Sequence, residues 1–243
     1  MSEIVVPNSS NPDSKKVQVE DMFNRIAPKY DLLNHTLSLN IDKIWRRKVV
    51  RLLKHCHPST LLDVATGTAD LAIAAARKIK LDHITGIDLS DEMLNIGRQK
   101  IEHCGLSGLI SLQKGDAENL PFADNIFDAV TVGFGARNFE NLEAGLTDML
   151  RVLKPGGTCI VLEFTMPQHF PIKQLYNFYF KHILPLIGKK VSKHQSAYTY
   201  LPQSVEAMPQ RTRFTDIMQK CGYTNCTYKS LSMGIAAIYV GKK

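Results

Sequence analysis

The feature that most constrains the fold of this chain is a regular alternation of short apolar runs with helical patterns over residues 60–164. The apolar runs predict strands at Thr60–Ala65, His83–Asp88, Leu109–Lys114, Phe127–Gly133 and Thr158–Phe164. The segments between them predict helices at Asp70–Lys80, after Ser90 as the N-cap, and at Leu142–Leu153. Strands that alternate with helices indicate an α/β fold with a mostly parallel, Rossmann-like sheet and helices on both faces.

The end of the chain breaks this alternation and predicts an antiparallel hairpin. Thr224–Ser230 and Ile235–Gly241 are typical of strands, and a short turn at 232–234 separates them. The two strands bring the expected sheet to seven. Before the fifth strand, the sequence Lys154–Gly157 predicts a separate turn that ends the preceding helix.

The chain divides into three parts by composition. Residues 1–16 are rich in Ser, Asn and Pro and predict a flexible tail, and residues 17–56 predict a helical extension at the substrate site or its lid. Residues 57–243 hold the sheet, with an insertion over about 165–209 that we expect to cover the substrate. No apolar run reaches the ~18 residues of a membrane span, and no signal-peptide pattern begins the chain, so we expect a cytoplasmic protein.

Cysteine spacing and charge narrow the classes of partner. The cysteines form no CxxC pair and no pattern of metal-ligand spacing, which predicts reduced thiols and no metal site. The net charge of +7 is uneven, because residues 57–164 carry −6 while residues 1–56 and 165–220 carry +4 and +6. Basic flanks of this kind can meet nucleic acid, an anionic membrane surface or water, and charge alone does not choose among them.

The loops after the first three strands carry residues that suit a small ligand. Ligands of such sheets bind beyond the carboxyl ends of the strands, where the strand order reverses. Small residues around Gly67 let the backbone approach a ligand closely. Asp88 ends the second strand 21 residues after Gly67, a spacing at which a carboxylate accepts both hydroxyls of an adenosine ribose. Asp116 and Ala117 follow the third strand and suit the adenine amino group and ring nitrogens.

The first loop distinguishes between two cofactors that contain adenosine. A dinucleotide pyrophosphate expects G-x-G-x-x-G, whereas this loop has the single glycine Gly67 with Asp63 and Asp70 nearby. Carboxylates repel pyrophosphate but attract a sulfonium and an ammonium group, so Asp63 or Asp70 suits the methionine end of S-adenosylmethionine. We therefore predict S-adenosylmethionine rather than a nicotinamide dinucleotide. In a purely structural interpretation, Asp63 caps the next helix and Asp88 begins a turn.

Several stretches, taken together, resemble known methyltransferase motifs. Those of class I methyltransferases are matched in order by Leu61–Asp70, Gly86–Ser90, Gly115–Phe122 and Leu150–Gly157. Others resemble the ubiquinone/menaquinone biosynthesis C-methyltransferase family, from about Val17 to the end of the chain. These are Tyr30–Asn34 with Leu37, Ser38 and Trp45; Gly133–Asn138; Arg151–Gly157 with Leu162–Phe164; and Tyr198–Ser204. The chain departs from the family pattern at Asp42, where a histidine is usual, and at Thr66 and Thr165.

The resemblance implies a class I methyltransferase domain over residues 57–243 that methylates a ring carbon of a prenylated quinol. By position, it places Thr68, Asp88, Asp116 and Ala117 at S-adenosylmethionine. With the first loop and the end of the fourth strand included, the expected cofactor-binding residues are Asp63, Gly67, Thr68, Asp88, Asp116, Ala117 and Gly133.

Methylation of a ring carbon needs in-line placement of that carbon and an ionised neighbouring hydroxyl, so the substrate should be the reduced quinol. The candidate bases are Tyr30, Asp31, Asp42, His194 and Tyr200. We favour Tyr30 and Asp31, with Arg137 stabilising the phenolate and Asn138 positioning the ring. Asn34 and Tyr200 are expected to contact the substrate. The alternative roles are core packing for Tyr30 and Tyr200, capping for Asp31 and an ion pair for Arg137.

The segment 171–191 predicts an amphipathic helix in the insertion. Its apolar positions are Ile172, Leu175, Tyr176, Tyr179, Ile183 and Leu184, with Phe178 and Phe180 on other faces and Lys173, Lys181, Lys189 and Lys190 at the fringe. Such a helix suits a lid over an isoprenoid tail and peripheral contact with the inner face of a membrane. An ordinary amphipathic core helix is the alternative. The sequence leaves open whether the chain forms a homodimer.

Other functions fit the sequence less well. An RNA methyltransferase would share the cofactor motifs and the positive charge, but amino-methylating enzymes usually hold Asn/Asp-Pro-Pro-aromatic where this chain has Gly133–Asn138. We therefore expect no nucleic acid partner. A non-enzymatic protein that binds the cofactor is a further alternative. Between a naphthoquinol and the ubiquinone-pathway benzoquinol, we favour demethylmenaquinol, because no mitochondrial targeting pattern is present.

Overall fold

A seven-stranded sheet forms the centre of the protein in the computed structural model, which describes residues 5–38, 40–179, 182 and 195–243. Its strands are β1 Thr60–Val64, β2 His83–Asp88, β3 Ile110–Lys114, β4 Phe127–Gly133, β5 Leu153–Phe164, β6 Thr224–Leu231 and β7 Ala236–Lys242. The strand order is β3-β2-β1-β4-β5-β7-β6. The first five strands run parallel, and β7 lies antiparallel between β5 and β6. The predicted α/β fold with its antiparallel hairpin is confirmed.

Helices cover both faces of this sheet and its carboxyl edge. Within the described residues they are α1 Lys15–Leu37, α2 Ile41–Cys56, α3 Asp70–Ala76, α4 Asp91–His103, α5 Leu142–Val152, α6 Ile172–Phe178, α7 Gln195–Ala207 and α8 Thr212–Lys220. The expected N-cap is present, since Ser90 Oγ accepts from the backbone N–H of Met93 at 3.2 Å. Within these described residues, no helix is long and apolar enough to span a membrane.

Two apolar clusters, one on each face, hold the helices to the sheet. Leu146 and Met149 of α5 are fully buried with Val132 of β4 on one face. On the other face, α2 buries Leu53 against Ile84 of β2. Each such side chain contributes ~1.5–3 kcal/mol through its removal from water, so the sheet is held rigidly at its centre.

The strand order reverses beside β1, which lies between β2 and β4. The crossover helices therefore leave on opposite sides, and a crevice opens outside the carboxyl ends of these strands. The loops after β1, β2 and β4 all begin at this crevice. The sheet topology thus predicts the position of a ligand site before any side chain is considered.

The sequence expectation of a separate turn at Lys154–Gly157 was wrong. These residues lie inside β5, which begins at Leu153 and pairs with Phe127 before the register shifts. Gly156 adopts a φ of +80°, and its N–H donates to Lys243 O at 3.1 Å. The Pro-Gly-Gly sequence therefore forms a bulge, because the end of the chain hydrogen-bonds to it.

The N-terminal part of the chain is largely helical, and α1 begins at Lys15, so the boundary predicted at residue 16 falls inside this helix. Residues 5–14 precede it, and the backbone N–H of Asn8 donates to Gln18 Oε1 at 2.9 Å. The division at residues 16 and 56 and the flexibility of 1–16 stay predictions. In α2, Trp45 is buried and donates from Nε1 to Ser232 Oγ at 2.9 Å, which ties the extension to the C-terminal hairpin.

Candidate active site

A cavity of about 680 Å³ opens at the carboxyl ends of the central strands. Its walls come from the loops after β1 to β4, and α1 lies across it. Of the residues predicted from sequence, seven line this cavity: Tyr30, Gly67, Asp88, Asp116, Ala117, Gly133 and Asn138. Six others do not line it: Asp31, Asn34, Asp63, Thr68, Arg137 and Tyr200.

Asp88 joins the loops after β1 and β2. Its Oδ2 accepts from the backbone N–H of Gly67 at 2.8 Å, and its Oδ1 accepts from the N–H of Ser90 at 3.0 Å. Withdrawal from solvent raises the pKa of this carboxyl, although the two backbone N–H groups oppose the shift. Gly67 has a φ of +56°, a conformation that side chains disfavour, and a Cβ there would contact Met93 Cε at 3.4 Å. The glycine lets the loop turn tightly onto the carboxylate.

The loop after β3 presents Asp116, and α1 contacts it directly. Asp116 Oδ1 accepts from the N–H of Glu118 at 3.0 Å, while Oδ2 accepts from Lys16 Nζ at 2.5 Å. The preceding Lys15 donates to the carbonyls of Arg137 and Phe139 at 3.0 and 2.7 Å. Burial lowers the pKa of Lys15 to about 8. Two consecutive lysines therefore join the start of α1 to opposite walls of the cavity.

Helix α1 forms one wall of the cavity, and several of its lining residues were not among the site residues predicted from the sequence. Val19, Glu20 and Phe23 line it together with Tyr30. Asn24 Oδ1 also accepts from Ser90 Oγ at 2.6 Å. The spacing of Val19, Phe23 and Tyr30 places them on one face of a helix, so a periodicity signal existed. The sequence predicted that residues 17–56 lie at the substrate site, but it did not identify this face of α1 as the one that meets the cavity.

Tyr30 lies at the cavity beside the charge of Arg137. Removal from water raises the pKa of its phenol, while the Arg137 charge and a hydrogen bond with Asn34 lower it. The net direction is upward, so the phenol keeps its proton at neutral pH. Its ring packs edge-on against Phe23, with 5.8 Å between the ring centroids. Tyr30 therefore combines the two predicted roles, packing and a place at the site, and Asn34 acts through Tyr30.

Asp31, the other favoured base, points away from the cavity. Its Oδ1 accepts from Thr68 Oγ1 at 2.6 Å, and its Oδ2 accepts from Lys100 Nζ at 2.8 Å. Lys100 also pairs with Asp70 at 2.5 Å. The hydroxyl of Thr68 is therefore turned toward this network and not toward the cavity. Sequence neighbours on a helix face different ways, which is why Tyr30 and Asp31 separate.

The two remaining acids proposed at the first loop are also engaged elsewhere. Asp63 is 1% exposed and accepts from Thr66 Oγ1 at 2.7 Å and Thr131 Oγ1 at 2.6 Å. Burial raises the pKa of Asp63 to about 6 despite these hydroxyls. Asp70 lies 3.4 Å from Arg46 Nη2 in addition to its contact with Lys100. Neither carboxylate lines the cavity, so their expected contact with the methionine end is not supported.

Asp42, a further base candidate, does not line the cavity. Asp42 is buried, forms an ion pair with Arg46 and accepts from Ser38 Oγ at 2.6 Å. That pairing explains how an acid is accommodated where the family usually has a histidine. His194 lies outside the described residues, as do Phe180, Lys181, Ile183, Leu184, Lys189 and Lys190 of the expected amphipathic helix.

Arg137 forms a buried ion pair with Glu163 next to the cavity. Its Nη1 donates to Glu163 Oε1 at 2.8 Å and also to the carbonyl of Phe134. Its guanidinium carbon lies 5.5 Å from the ring centroid of Phe164. The predicted ion-pair role of Arg137 is therefore present. Glu163 was noted in the sequence only as part of a motif, and its partner was not predicted.

Three buried polar atoms around this pair have no hydrogen-bond partner among the described residues. They are Arg137 Nε, Asn138 Oδ1 and the Tyr200 hydroxyl. Burial raises the pKa of Tyr200 to about 12, with the Arg137 charge opposing. Tyr200 packs against Val19 and Met22 of α1. Buried polar groups are normally satisfied, so unpartnered ones beside a cavity mark a place for a polar ligand.

The sequence model of the ubiE/COQ5 methyltransferase family matches residues 11–243 of the chain. The chain belongs to this family. The resemblance seen in the sequence is thereby confirmed, and the protein is a methyltransferase that uses S-adenosylmethionine. Membership also decides against the nicotinamide dinucleotide and against a protein that only binds the cofactor.

Relatives in the ubiE/COQ5 family match over nearly their whole length. The demethylmenaquinone methyltransferase of Bacteroides fragilis is 47% identical over 234 residues, which cover 96% of each chain. The ubiquinone/menaquinone biosynthesis C-methyltransferase UbiE of Geotalea daltonii is 45% identical, with 94% of this chain and 97% of the relative covered.

Solved structures share the fold of this ubiE/COQ5 family member at low identity. A SAM-dependent methyltransferase of Thermotoga maritima superposes with a TM-score of 0.64 at 19% identity, over 92% of this chain and 99% of that one. Phosphoethanolamine N-methyltransferase 2 of Haemonchus contortus, solved with S-adenosylmethionine, gives a TM-score of 0.59 at 15% identity, over 81% of this chain and 52% of that one. These likenesses concern the fold alone.

The chemistry of the cavity fits the cofactor of the ubiE/COQ5 family. Asp88 ends β2 and Asp116 lies in the loop after the neighbouring β3, and both carboxylates supply acceptors for hydroxyl and amino groups. The turn after β4 lies close to the loop after β1, since a Cβ at Gly135 would lie 2.4 Å from Ala65 Cβ. Small residues at that point keep the wall open to a flat ligand.

Proposed function

We propose that this protein methylates a ring carbon of a prenylated quinol, and that demethylmenaquinol is the substrate. Relatives that match along almost the whole chain bear the name demethylmenaquinone methyltransferase. The single observation that carries the proposal is the full-length family match at this identity. The unpartnered polar atoms of Arg137, Asn138 and Tyr200 beside the cavity support a small hydroxylated substrate there.

Five residues are proposed to hold the cofactor. Asp88 suits the ribose hydroxyls, and Asp116 with Ala117 suits the adenine, while Gly67 and Gly133 leave room for it. When bound, S-adenosylmethionine supplies the electrophilic methyl group on its sulfonium.

The remaining predicted cofactor contacts are revised. Thr68 and Asp63 act indirectly, because their side chains are occupied by other protein groups. They shape the loop that presents Gly67.

The chain's own residues promote ionisation of the substrate hydroxyl. Arg137 brings positive charge next to the site, and a cation near a phenol favours its ionised form. Tyr30 keeps its proton because its pKa is raised, so it acts as a hydrogen-bond donor and not as a base. Asp31 is paired with Lys100 and takes no proton from the substrate. The oxidised quinone has no hydroxyl to ionise and is not a substrate.

An anaerobic assay with labelled S-adenosylmethionine tests the proposal. Chemically reduced demethylmenaquinone, a demethylated benzoquinol and bulk RNA are supplied separately to the full-length protein. We expect label in the naphthoquinol. Label in the benzoquinol alone would contradict demethylmenaquinol as the substrate and would indicate the ubiquinone-pathway quinol instead. Label in RNA would contradict quinol methylation.

We further propose that the protein associates peripherally with the inner face of the membrane through α6 and the turn before it. Phe170, Leu175 and Phe178 are 81%, 61% and 57% exposed, and Lys173 is exposed between them. Aromatic and aliphatic side chains with a basic fringe suit an anionic interface. Within the predicted amphipathic helix, Leu175 thus faces outward while Tyr176 is buried.

Flotation with liposomes tests this association. The triple variant Phe170→Ser, Leu175→Ser, Phe178→Ser should lose binding to vesicles that contain anionic lipid. Met233, which is 69% exposed at the hairpin turn, provides the matched control as Met233→Ser. Equal flotation of both variants would contradict the membrane contact.

A further inference from the structure

We propose that Glu163 is a positioning residue that holds Arg137 and sets how strongly the Arg137 charge favours the ionised substrate hydroxyl. This inference rests on the proposed function, since it assigns Glu163 a task in the ionisation of the quinol. Glu163 itself reaches the site only through Arg137.

Glu163 is the penultimate residue of β5 and is fully buried. Its Oε1 accepts from Arg137 Nη1 at 2.8 Å and from the N–H of Phe164 at 2.8 Å. Its Oε2 accepts from the backbone N–H of Arg137 at 3.2 Å. One carboxylate therefore fixes both the backbone and the side chain of Arg137, and it links the turn after β4 to the end of β5.

The guanidinium of Arg137 uses Nη1 for hydrogen bonds within the protein, whereas its Nε has no partner among the described residues. Nη1 donates to Glu163 and to the Phe134 carbonyl, which occupies both of its hydrogens. Nε is buried and has no acceptor among the described residues. The neighbouring Asn138 Oδ1 and Tyr200 hydroxyl are also buried and have no hydrogen-bond partner among the described residues. The ion pair thus orients the guanidinium so that a donor remains for a ligand oxygen.

The phenols of Tyr176 and Tyr200 lie in the electric fields of both Arg137 and Glu163. The Arg137 charge acts to lower the pKa values of Tyr176 and Tyr200, while the Glu163 charge acts to raise them. A quinol hydroxyl bound near Arg137 is a phenol too and would be subject to the same opposing fields. Glu163 therefore moderates the field of Arg137, and its burial keeps solvent from screening the pair.

Other titratable groups face Arg137 from the elements packed around it. They are Lys15 and Tyr30 of α1, Tyr176 of α6 and Tyr200 of α7. The pKa of Lys15 is about 8, and those of the three tyrosines are raised. An acid limb that lies at a pH below these pKa values therefore reports on the substrate hydroxyl and not on these groups.

The test compares pH profiles of kcat for quinol methylation, because kcat reports the groups that ionise in the enzyme–substrate complex. In Glu163→Gln, the acid limb should move to lower pH by about one unit, because an uncompensated cation stabilises the phenolate more strongly. In Glu163→Asp, which keeps the charge but shortens the reach, kcat should fall several-fold with the acid limb in place. An unshifted limb in Glu163→Gln, or wild-type kcat in Glu163→Asp, would overturn the proposal. If Glu163→Gln does not fold, the Glu163→Asp result decides.

The matched control is Asp148→Asn. Asp148 pairs with Arg151 at 2.6 Å on α5, and neither residue lines the cavity. This variant loses a carboxylate from an Asp–Arg pair in the same way, so a general loss of stability would appear in it as well. We expect its pH profile and kcat to match the wild type.

A quinol monoether with a single ionisable hydroxyl, kept under anaerobic conditions, separates this inference from the proposed function. The ionisation of 4-methoxy-1-naphthol bound to the protein is followed by absorbance, with no turnover required. We expect the bound naphthol to ionise at lower pH in Glu163→Gln than in the wild type. Equal ionisation in both proteins would count against Glu163 even if quinols are methylated. If quinols are not methylated but the bound naphthol ionises at lower pH in Glu163→Gln than in the wild type, that result would count against the proposed reaction only.

Discussion

Lys16 at the start of α1 and Asp116 after β3 form an ion pair across the mouth of the cavity, with 2.5 Å between Nζ and Oδ2. Both side chains are about one-quarter to one-third exposed. The pair therefore joins a helix of the N-terminal extension to a loop of the sheet domain, roughly 100 residues away in sequence. The cofactor cavity is completed by a segment outside the sheet.

Loss of this ion pair should speed the release of the cofactor. In Lys16→Met, S-adenosylmethionine is expected to dissociate about two- to fivefold faster, the range of a partly exposed ion pair. Stopped-flow fluorescence with S-adenosylmethionine measures the rate. Arg25→Met removes an ion pair within α1 that is more than half exposed, and it should leave the rate unchanged. Equal rates in wild type and Lys16→Met would contradict a closing role for α1.

Asp88→Asn should weaken cofactor binding far more than it weakens folding. The carboxylate is proposed to accept from the ribose hydroxyls, and hydrogen bonds to a charged group contribute ~1.5–3 kcal/mol, so Kd should rise about 10- to 150-fold. Isothermal titration calorimetry measures it. Asp91→Asn is the control, since Asp91 lies three residues on but is more than half exposed, and it forms an ion pair with Lys114 on the surface. A rise below threefold in Asp88→Asn would remove it from the cofactor site.

Asp31→Asn should lower stability and leave chemistry largely intact. The substitution removes the charge that Lys100 and Thr68 contact, at a cost of ~1–3 kcal/mol in unfolding free energy. Turnover should stay within a few-fold of the wild type, because Asp31 does not line the cavity. Urea denaturation and the quinol assay give the two values. A loss of turnover of 100-fold or more, with normal stability, would restore Asp31 as a base.

The sheet and half of the site were predictable because the signals are local. β2 and β4 begin and end where the alternation of apolar runs placed them. Asp88 was identified by its distance from Gly67, since a fixed strand–loop–helix unit converts spacing in sequence into spacing in the structure. Asp116 and Ala117 followed from the same logic one strand further on.

What the sequence did not predict depends on long-range contacts. The contact of Lys16 with Asp116 and the pairing of Arg137 with Glu163 join segments that no periodicity relates. Asp31 and Tyr30 are adjacent in sequence, but the helical rotation between neighbours turns the Asp31 side chain toward Thr68 and Lys100, and those contacts were not predictable from the sequence. The bulge at Lys154–Gly157 was missed because only the returning chain end reveals it.

Asp63 should give the protein a distinctive pH dependence. Its pKa in the folded state is about 6, above the ordinary 3.8, so its contribution to stability is full below pH 4 and is lost as the pH rises through 6. Relative to Asp63→Asn, the wild type should lose ~2–3 kcal/mol of unfolding free energy between pH 4 and 7. Urea denaturation across this range measures the difference.

Asp128 provides a control of opposite sign for this measurement. Lys154 and Thr60 lower the pKa of Asp128 to about 2, against the opposing effect of burial, so its contribution is present above pH 4 and is lost only as the pH falls toward 2. The difference between wild type and Asp128→Asn should therefore stay constant between pH 4 and 7. If the difference in unfolding free energy between wild type and Asp63→Asn also stayed constant between pH 4 and 7, that result would contradict a raised pKa for the buried Asp63 carboxyl.

The measurement that tests the central claim most directly is the chemical form of the methylated product. Reduced demethylmenaquinone is incubated anaerobically with the protein and labelled S-adenosylmethionine, and the labelled product is then exposed to air and analysed by mass spectrometry and absorbance. Methylation at a ring carbon leaves both hydroxyls free, so we expect the labelled product to reoxidise to a quinone with one added methyl group. A labelled product that stays an ether and does not reoxidise would show methylation at oxygen and would contradict it.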